Sequence, residues 1–205
     1  MDPETFNNLL FILLHCLAEK EIVMPILIKS VFFFKKIIII FECSLNGLYM
    51  DNCQLRIGIF DADYLNIVEL NTTGDNEHYI KGDSESSYIQ SDVFNLFTSC
   101  FENSNQLYEF YGATKYNLRK IVPLRNELQK KLNTLKNITT LDEFKEHIEG
   151  IFLGKEFLDK LNEHYPNWEN QWKEYLDRLI KVNEGLIDIV EKCIDEQRTL
   201  WVIGY

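Results

Sequence analysis

Catalytic motifs are what this sequence of 205 residues most clearly lacks. It has no P-loop or dinucleotide-type glycine pattern, no G-x-S-x-G nucleophile elbow and no H-E-x-x-H metal pair. Glu143 and His147 lie four residues apart, but that pair alone is too small for a metal site, so His147 is interpreted as a surface histidine. The sequence therefore predicts no metal ion and no cofactor, and it favours a protein without enzymatic activity.

Cysteines are few and widely spaced. There are five, and no two of them are separated by only two residues. This spacing supports neither a zinc knuckle nor a thioredoxin-type redox motif. An odd number of cysteines flanked by apolar residues suits buried, reduced thiols, which are typical of the cytoplasm. We therefore expect a cytoplasmic protein with free thiols.

Positive charge is also scarce. The sequence has 21 basic and 32 acidic side chains, a formal net charge of −11. An acidic protein repels phosphate backbones, whereas it attracts a basic protein partner. Nucleic-acid contact is expected at most from one basic cluster on a predicted helix, for which a solvated helix face is the alternative. The cluster consists of Arg119, Lys120, Arg125, Lys130 and Lys131.

The longest apolar stretch, residues 22–41, is not an uninterrupted one. It contains Lys29, Lys35 and Lys36, and each lysine near the centre of a bilayer costs about 2.5–3.5 kcal/mol. The residues before it lack the positive charge that opens a signal peptide. No membrane span is predicted, and the stretch "VFFFKKIIIIFEC" is interpreted as strands of a buried sheet.

The order of the patterns predicts an α+β fold. An N-terminal helix precedes an antiparallel β-meander, whose strands include one after the Asn46-Gly47 turn and one at "YLNIVEL". The polar segment 71–87 then separates this region from an α-helical half, in which residues 106–121 are also predicted to be helical. Thr140 and Glu143 form a capping box. The expected domains are 1–90 and 91–205, or one continuous domain.

The final helix is the most regular element. Apolar residues from Trp168 to Cys193 recur at alternating spacings of three and four, which is typical of a long amphipathic helix. A second apolar line flanks this seam, so the stripe is wide enough to contact a protein partner or a second copy. Packing inside the fold is the alternative. The predicted partner-binding residues are Trp168, Trp172, Leu176, Ile180, Ile187, Val190 and Ile194.

Three acidic residues around a predicted hairpin offer a different function. Asp61, Asp63 and Glu69 carry carboxylates of the kind that bind Mg²⁺ or Ca²⁺. They are the candidate catalytic residues of a metal-dependent hydrolase or nuclease. The alternative is ordinary turn chemistry at the two aspartates and a solvated strand position for Glu69.

The leading functional hypothesis is a non-catalytic protein-binding subunit or inhibitor in an intracellular complex. An acidic immunity or antitoxin-like protein, or an accessory subunit of a bacterial defence-type assembly, would have this charge and these apolar surfaces. Its partner would be another protein, such as a basic one, or a second copy of the chain. The metal-dependent hydrolase is the alternative.

Overall fold

Residues 55–61 and 66–204 are those that the structure, a computed structural model, describes. They belong to one compact unit, Asn52–Tyr205. Several predicted features lie outside the described residues: the N-terminal helix, the strands before residue 55, the trial membrane segment, Asp63, and the cysteines Cys16, Cys43 and Cys53.

Five strands form one antiparallel sheet with the order β1-β3-β2-β5-β4. The central strand β2 pairs with β3 through Val68 opposite Ile89, and with β5 through Leu70 opposite Val202. The strands are β1 (Ile59–Phe60), β2 (Ile67–Asn71), β3 (Ser87–Gln90), β4 (Ala113–Tyr116) and β5 (Leu200–Ile203).

Six α-helices lie between β3 and β5. Two 3₁₀ segments, Asn95–Phe97 and Trp168–Gln171, precede the second and the last of them. The helices are α1 (Ser91–Phe94), α2 (Thr98–Ser104), α3 (Leu118–Lys136), α4 (Leu141–Glu149), α5 (Gly154–His164) and α6 (Trp172–Asp195). None of the helices in the described ranges is long and apolar enough to cross a bilayer.

The two faces of the sheet have different coverings. Strand side chains alternate between faces, and Val68 and Leu70 on one face of β2 join the helical core. Glu69 and Asn71 project from the other face and are nevertheless buried. That second face is covered by the loop of residues 72–86, which connects β2 to β3.

Helices α3 and α6 make the most extensive helix–helix contact. Leucines on α3, among them Leu128 and Leu132, pack with the seam of α6 in one core. The fully buried Asn183 of α6 lies in this contact, and its amide can donate to the carbonyl of Leu128 and accept from the N–H of Leu132, both at 3.1 Å. Because these hydrogen bonds form only when the two helices are in this register, Asn183 favours a single register of α3 and α6.

The α+β class, the antiparallel sheet and the long C-terminal helix are confirmed. The predicted strand at "YLNIVEL" is confirmed as β2. So is the capping box, in which Thr140 accepts from the N–H of Glu143 and the Glu143 carboxylate accepts from the N–H of Thr140.

The predicted helix over residues 106–121 is wrong for residues 106–117, whereas residues 118–121 begin α3. Residues 105–112 form a turn, and Ala113–Tyr116 form the edge strand β4. Thr114 and Tyr116 are buried while Lys115 is not, which is the period of a strand. The C-terminal tail is strand β5, between β2 and β4. The half predicted to be helical therefore contributes two strands, because their pairing partners lie far away in the sequence.

Candidate functional site

Glu69 is buried in the sheet, with 3% of its surface exposed. Its carboxylate accepts hydrogen bonds from the N–H of Gly82, at 3.1 Å to Oε1 and 3.0 Å to Oε2, and from the Ser86 hydroxyl at 2.8 Å. A carboxylate with several donors is well compensated for its burial. The expectation of a solvated strand residue is wrong, because the loop 72–86 folds over this position.

Asn71, on the same face of β2, organises the two ends of that loop. Its amide nitrogen donates to the Ile80 carbonyl at 3.0 Å and the Ser86 hydroxyl at 3.2 Å, and its oxygen accepts from the N–H of Gly74 at 3.0 Å. The indole N–H of Trp201 in β5 donates to the Asp75 carbonyl at 2.8 Å. The loop is thus anchored to two strands, and Glu69 is one of its structural anchors.

This geometry does not favour a metal site. The carboxylate of Glu69 accepts hydrogen bonds from the loop 72–86, Asp61 is exposed, and Asp63 lies outside the described residues. Among the residues that the structure describes, no three His, Cys, Asp or Glu side chains are grouped so that they could hold a metal ion. The structure therefore does not bring the predicted hydrolase residues together within its described part.

Most of the predicted partner-binding residues lie in the core. Trp168 is 1% exposed and its ring contacts those of Phe144 and Tyr175 at centroid distances of 6.0 and 6.4 Å. The others are buried or half-buried: Leu176, Ile187 and Val190 are buried, and Trp172, Ile180 and Ile194 are half-buried against the core. The seam and most of its flanking line are used by the fold itself.

The predicted basic cluster does not form one continuous face of α3. Lys130 is exposed and forms an ion pair with Glu127 at 2.6 Å. Lys131, the next residue, is half-buried on the side that faces α4. Arg119, Lys120 and Arg125 lie in the first half of α3. Nucleic-acid contact by these residues stays a prediction.

Lys131 belongs instead to a cluster that we call the amine cluster: Cys100 on α2, Lys131 on α3 and His147 on α4. The amine Nζ of Lys131 lies 3.1 Å from Nε2 of His147. Among the described residues, no carboxylate lies within 4.0 Å of this amine, whereas Lys130, Lys136, Lys145 and Lys160 each form an ion pair. A half-buried lysine with a neutral partner is uncommon, because burial of an ammonium is costly without an opposite charge.

Burial changes the acid–base behaviour of the whole cluster. Desolvation lowers the pKa of Lys131 to about 8, an effect that the nearby Cys100 thiol partly opposes. Desolvation and the charge of Lys131 lower the pKa of His147 to about 4. Desolvation raises the pKa of Cys100 to about 11, so this buried thiol is not a reactive thiolate. At neutral pH the imidazole is uncharged and accepts the hydrogen bond from Lys131.

A surface groove of about 320 Å³ lies beside this cluster, between the C-terminal end of α3 and the start of α4. His147 lines the groove, and its Nε2 lies 3.1 Å from the amine of Lys131. The remaining lining residues are Thr134, Asn137, Ile138, Glu143 and Glu146.

A second feature is a patch of aromatic side chains, the aromatic patch, formed by the exposed Tyr111 and Phe152 and the half-buried Phe110. Tyr111 is 75% and Phe152 71% exposed. The Phe110 ring stacks edge-on with both, at centroid distances of 4.9 Å to Tyr111 and 6.3 Å to Phe152. The first two residues lie in the turn before β4, and Phe152 lies between α4 and α5.

Sequence reasoning missed the amine cluster although a signal was present. Lys131 follows Leu128 by three residues and precedes Leu135 by four, so it lies on the apolar face of α3. His147 likewise follows Phe144 by three. Helices α3 and α4 bring these two faces together, so His147 is half-buried and lines the surface groove.

Comparison with known proteins gives no match to a family model, to a curated protein or to a solved structure.

Proposed function

We propose that this protein is a non-catalytic binding component that recognises a basic protein partner through the aromatic patch. Exposed, clustered aromatic side chains are the observation that carries the proposal. Tyrosine and phenylalanine supply large apolar contact areas at a small cost in side-chain entropy, and they are enriched at protein interfaces. An exposed group of rings of this kind is typical of an interaction site.

The turn that presents Phe110 and Tyr111 is held in place by buried polar groups. Asn105 accepts from the N–H of Leu107 at 3.1 Å and donates to the Lys115 carbonyl at 3.2 Å. The hydroxyl of Thr114 accepts from the N–H of Glu109 at 2.8 Å. Both side chains are buried. The rings are therefore presented on a firm turn, which reduces the entropy lost on binding.

The connection that presents Phe152 is equally constrained. Leu153, the next residue, has φ of 60°, a left-handed conformation that is unfavourable for leucine. A Cβ on Gly154 would collide with the carbonyl oxygen of Ile148, so only glycine fits at the start of α5. This backbone keeps Phe152 outside the core although it is a strongly apolar residue.

The charge of the protein favours a basic partner. A net charge of −11 attracts a positively charged protein over a distance and raises the rate of encounter, while the aromatic patch supplies short-range contact. An inhibitor of a basic toxin or nuclease, as in immunity or antitoxin pairs, is the form of this function that best suits such charge. An accessory subunit that contacts a basic component of an assembly would use the same surface.

One double variant and one single-variant control test whether the aromatic patch binds the partner. Tyr111→Ser combined with Phe152→Ser should remove the partner during copurification from the native host at low salt, while the circular dichroism spectrum stays that of the wild type. Ile80→Ser is the matched control, because Ile80 is also 71% exposed but lies on the loop 72–86. This control should retain the partner.

Two results would overturn the proposal. One is retention of the same partner by the folded double variant. The other is a partner that remains bound when the salt concentration is raised tenfold and that has an acidic surface, because electrostatic attraction would then play no part. The hydrolase alternative stays a prediction that no observation in the described residues favours.

A further inference from the structure

We propose that one face of α4 recognises a basic helix of the protein partner, whose lysine or arginine side chains pair with its carboxylates while an apolar side chain contacts the aromatic patch. This inference rests on the proposed function, because it assigns the attraction for a basic partner to one surface. That surface, which we call the acidic face, consists of Asp142, Glu146 and Glu149.

The acidic face has no cationic partner within the described part of the fold. Its three side chains are exposed, and no described lysine or arginine forms an ion pair with any of them. Lys145, the lysine of α4, forms an ion pair of 2.6 Å with Glu169 instead. His147 of the same helix is uncharged at pH 7, because burial lowers its pKa to about 4. The acidic face is therefore available to a cation from outside.

The positions of these carboxylates are unfavourable for the protein alone. Asp142 and Glu146 are four residues apart, and Glu146 and Glu149 are three apart, so like charges are neighbours on the helix surface and repel each other. Glu149 is also the last residue of α4, where the helix dipole places partial negative charge. A lysine or arginine of a partner relieves both penalties, and this relief favours binding.

Two acidic residues of α6 differ in this respect. Asp188 and Glu191 are exposed and three residues apart, like Glu146 and Glu149, but the exposed Lys192 follows Asp188 by four residues. Opposite charges at this spacing attract each other on a helix surface. The charge on this part of α6 is thus partly compensated, which makes the pair a matched control for the acidic face.

The acidic face continues into the aromatic patch. Phe152 follows Glu149 by three residues, and Gly150 between them has helical φ and ψ of −71° and −8°. The N–H of Gly150 still donates to the Glu146 carbonyl, at 3.0 Å. Side chains three residues apart on such a backbone lie on one side of it. Phe152 is 71% exposed and contacts the ring of Phe110, so the carboxylates and the rings form one surface.

The spacing along this surface suits a helix of the partner. Asp142, Glu146, Glu149 and Phe152 follow one another at intervals of four, three and three residues. A helix that packs alongside α4 presents side chains at the same intervals, so three basic residues and one apolar residue on one of its faces match the surface. Glu146 also lines the groove, where Ile138 can pack against the methylene groups of a lysine or arginine.

A synthetic helical peptide tests the surface on the full-length protein. The fluorescein-labelled, alanine-based peptide carries three lysines and one phenylalanine at these intervals, and fluorescence anisotropy at low salt gives its Kd. Glu146→Gln combined with Glu149→Gln should raise the Kd by about fourfold, the effect of two exposed ion pairs. Asp188→Asn combined with Glu191→Gln changes the net charge equally and should raise the Kd by less than half as much. Circular dichroism checks that both double variants are folded.

Carbodiimide cross-linking gives a measurement on the wild-type protein. The reagent joins a carboxylate to a lysine in direct contact with it, and peptide mass spectrometry identifies the carboxylates that are joined to the peptide. Glu146 and Glu149 should be cross-linked several times more often than Asp188 and Glu191. Equal cross-linking of the two pairs, equal effects of the two double variants on the Kd, or no binding of the peptide to the wild type would overturn the inference.

The native partner separates a failure of this inference from a failure of the proposed function. If the Glu146→Gln/Glu149→Gln variant binds the native partner as tightly as the wild type does, while Tyr111→Ser/Phe152→Ser does not bind it, the acidic face is not used and the proposed function stands. If the aromatic variant retains the partner and the acidic variant loses it, the proposed role of the aromatic patch is wrong.

Discussion

Glu69 is a buried and Lys131 a half-buried charged side chain, and their surroundings differ. Glu69 accepts hydrogen bonds from the backbone N–H of Gly82 and from the hydroxyl of Ser86. Among the described residues, the partner of Lys131 is the neutral ring of His147. The carboxylate of Glu69 is surrounded by hydrogen-bond donors, whereas burial lowers the pKa of Lys131 to about 8.

The difference separates a structural role from a chemical one. A fully satisfied buried charge ties elements together, here the loop 72–86 to the sheet. A charge with an incomplete set of partners reduces stability and is a candidate for function, because perturbed acid–base groups are concentrated at functional sites. Sequence reasoning assigned the hydrolase alternative to Asp61, Asp63 and Glu69, and the structure gives Glu69 a structural role in holding the loop 72–86.

The largest loss of stability is expected when a new charge is buried without any partner. Ile187 is 6% exposed and packs in the α3–α6 core. Ile187→Asp would bury a carboxylate without a donor, and we expect the free energy of unfolding to fall by about 4–5 kcal/mol or more. Urea denaturation followed by circular dichroism measures this. Asp188→Asn, at the neighbouring exposed position, is the control. A well-folded Ile187→Asp protein would show that this line of α6 is not core.

Removal of the Glu69 carboxylate should have the next largest effect on stability. Glu69→Ala leaves the N–H of Gly82 and the hydroxyl of Ser86 without their acceptor, at a cost of about 3 kcal/mol. Glu69→Gln retains one carbonyl oxygen and should cost about half as much. Urea denaturation gives the stability change, and hydrogen exchange should show faster exchange across residues 72–86. If Glu69→Ala leaves both unchanged, the carboxylate does not anchor the loop.

Acidification should lower the stability of the protein through His147 of the amine cluster. The pKa of His147 is about 4 in the folded protein, below the ordinary value of 6.5. The unfolded chain therefore binds more protons between pH 6.5 and pH 4, and stability should fall by roughly 1–3 kcal/mol as the pH is lowered through this window. Thermal denaturation at a series of pH values measures the loss. His147→Gln should lack this component, and an unchanged pH profile in that variant would contradict the assignment.

Removal of the poorly compensated charge should have the smallest effect and the opposite sign. Lys131→Met replaces a desolvated ammonium by an apolar side chain of similar length, and we expect a gain of up to about 1 kcal/mol at pH 7. Lys160→Met is the matched control, since it breaks an ion pair of 2.6 Å with Asp92 and should lose up to about 1 kcal/mol. Chemical denaturation of both variants decides the signs. A clear destabilisation by Lys131→Met would mean that its charge is better compensated than the described contacts indicate.

Local patterns of the sequence were sufficient for much of the described fold. The seam of α6 is readable because buried residues recur with the helical period over all 24 residues of the helix. The capping box at Thr140 is readable because all its partners lie within three residues. β2 is readable as an apolar strand bounded by turn residues. Each of these elements depends on neighbours in the sequence.

Contacts between distant residues account for what the sequence alone did not determine. The strands β4 and β5 form because they pair with each other, and β5 also with β2, across more than eighty residues of chain. Glu69 is buried because a loop folds back over it, and Lys131 meets His147 because two helical faces pack together. By itself the sequence determined the periodic helices, the fold class and the acidic charge, since these follow from local spacing and composition. Only the tertiary structure decided which charged side chains keep their partners, because burial and hydrogen bonding are properties of the folded chain.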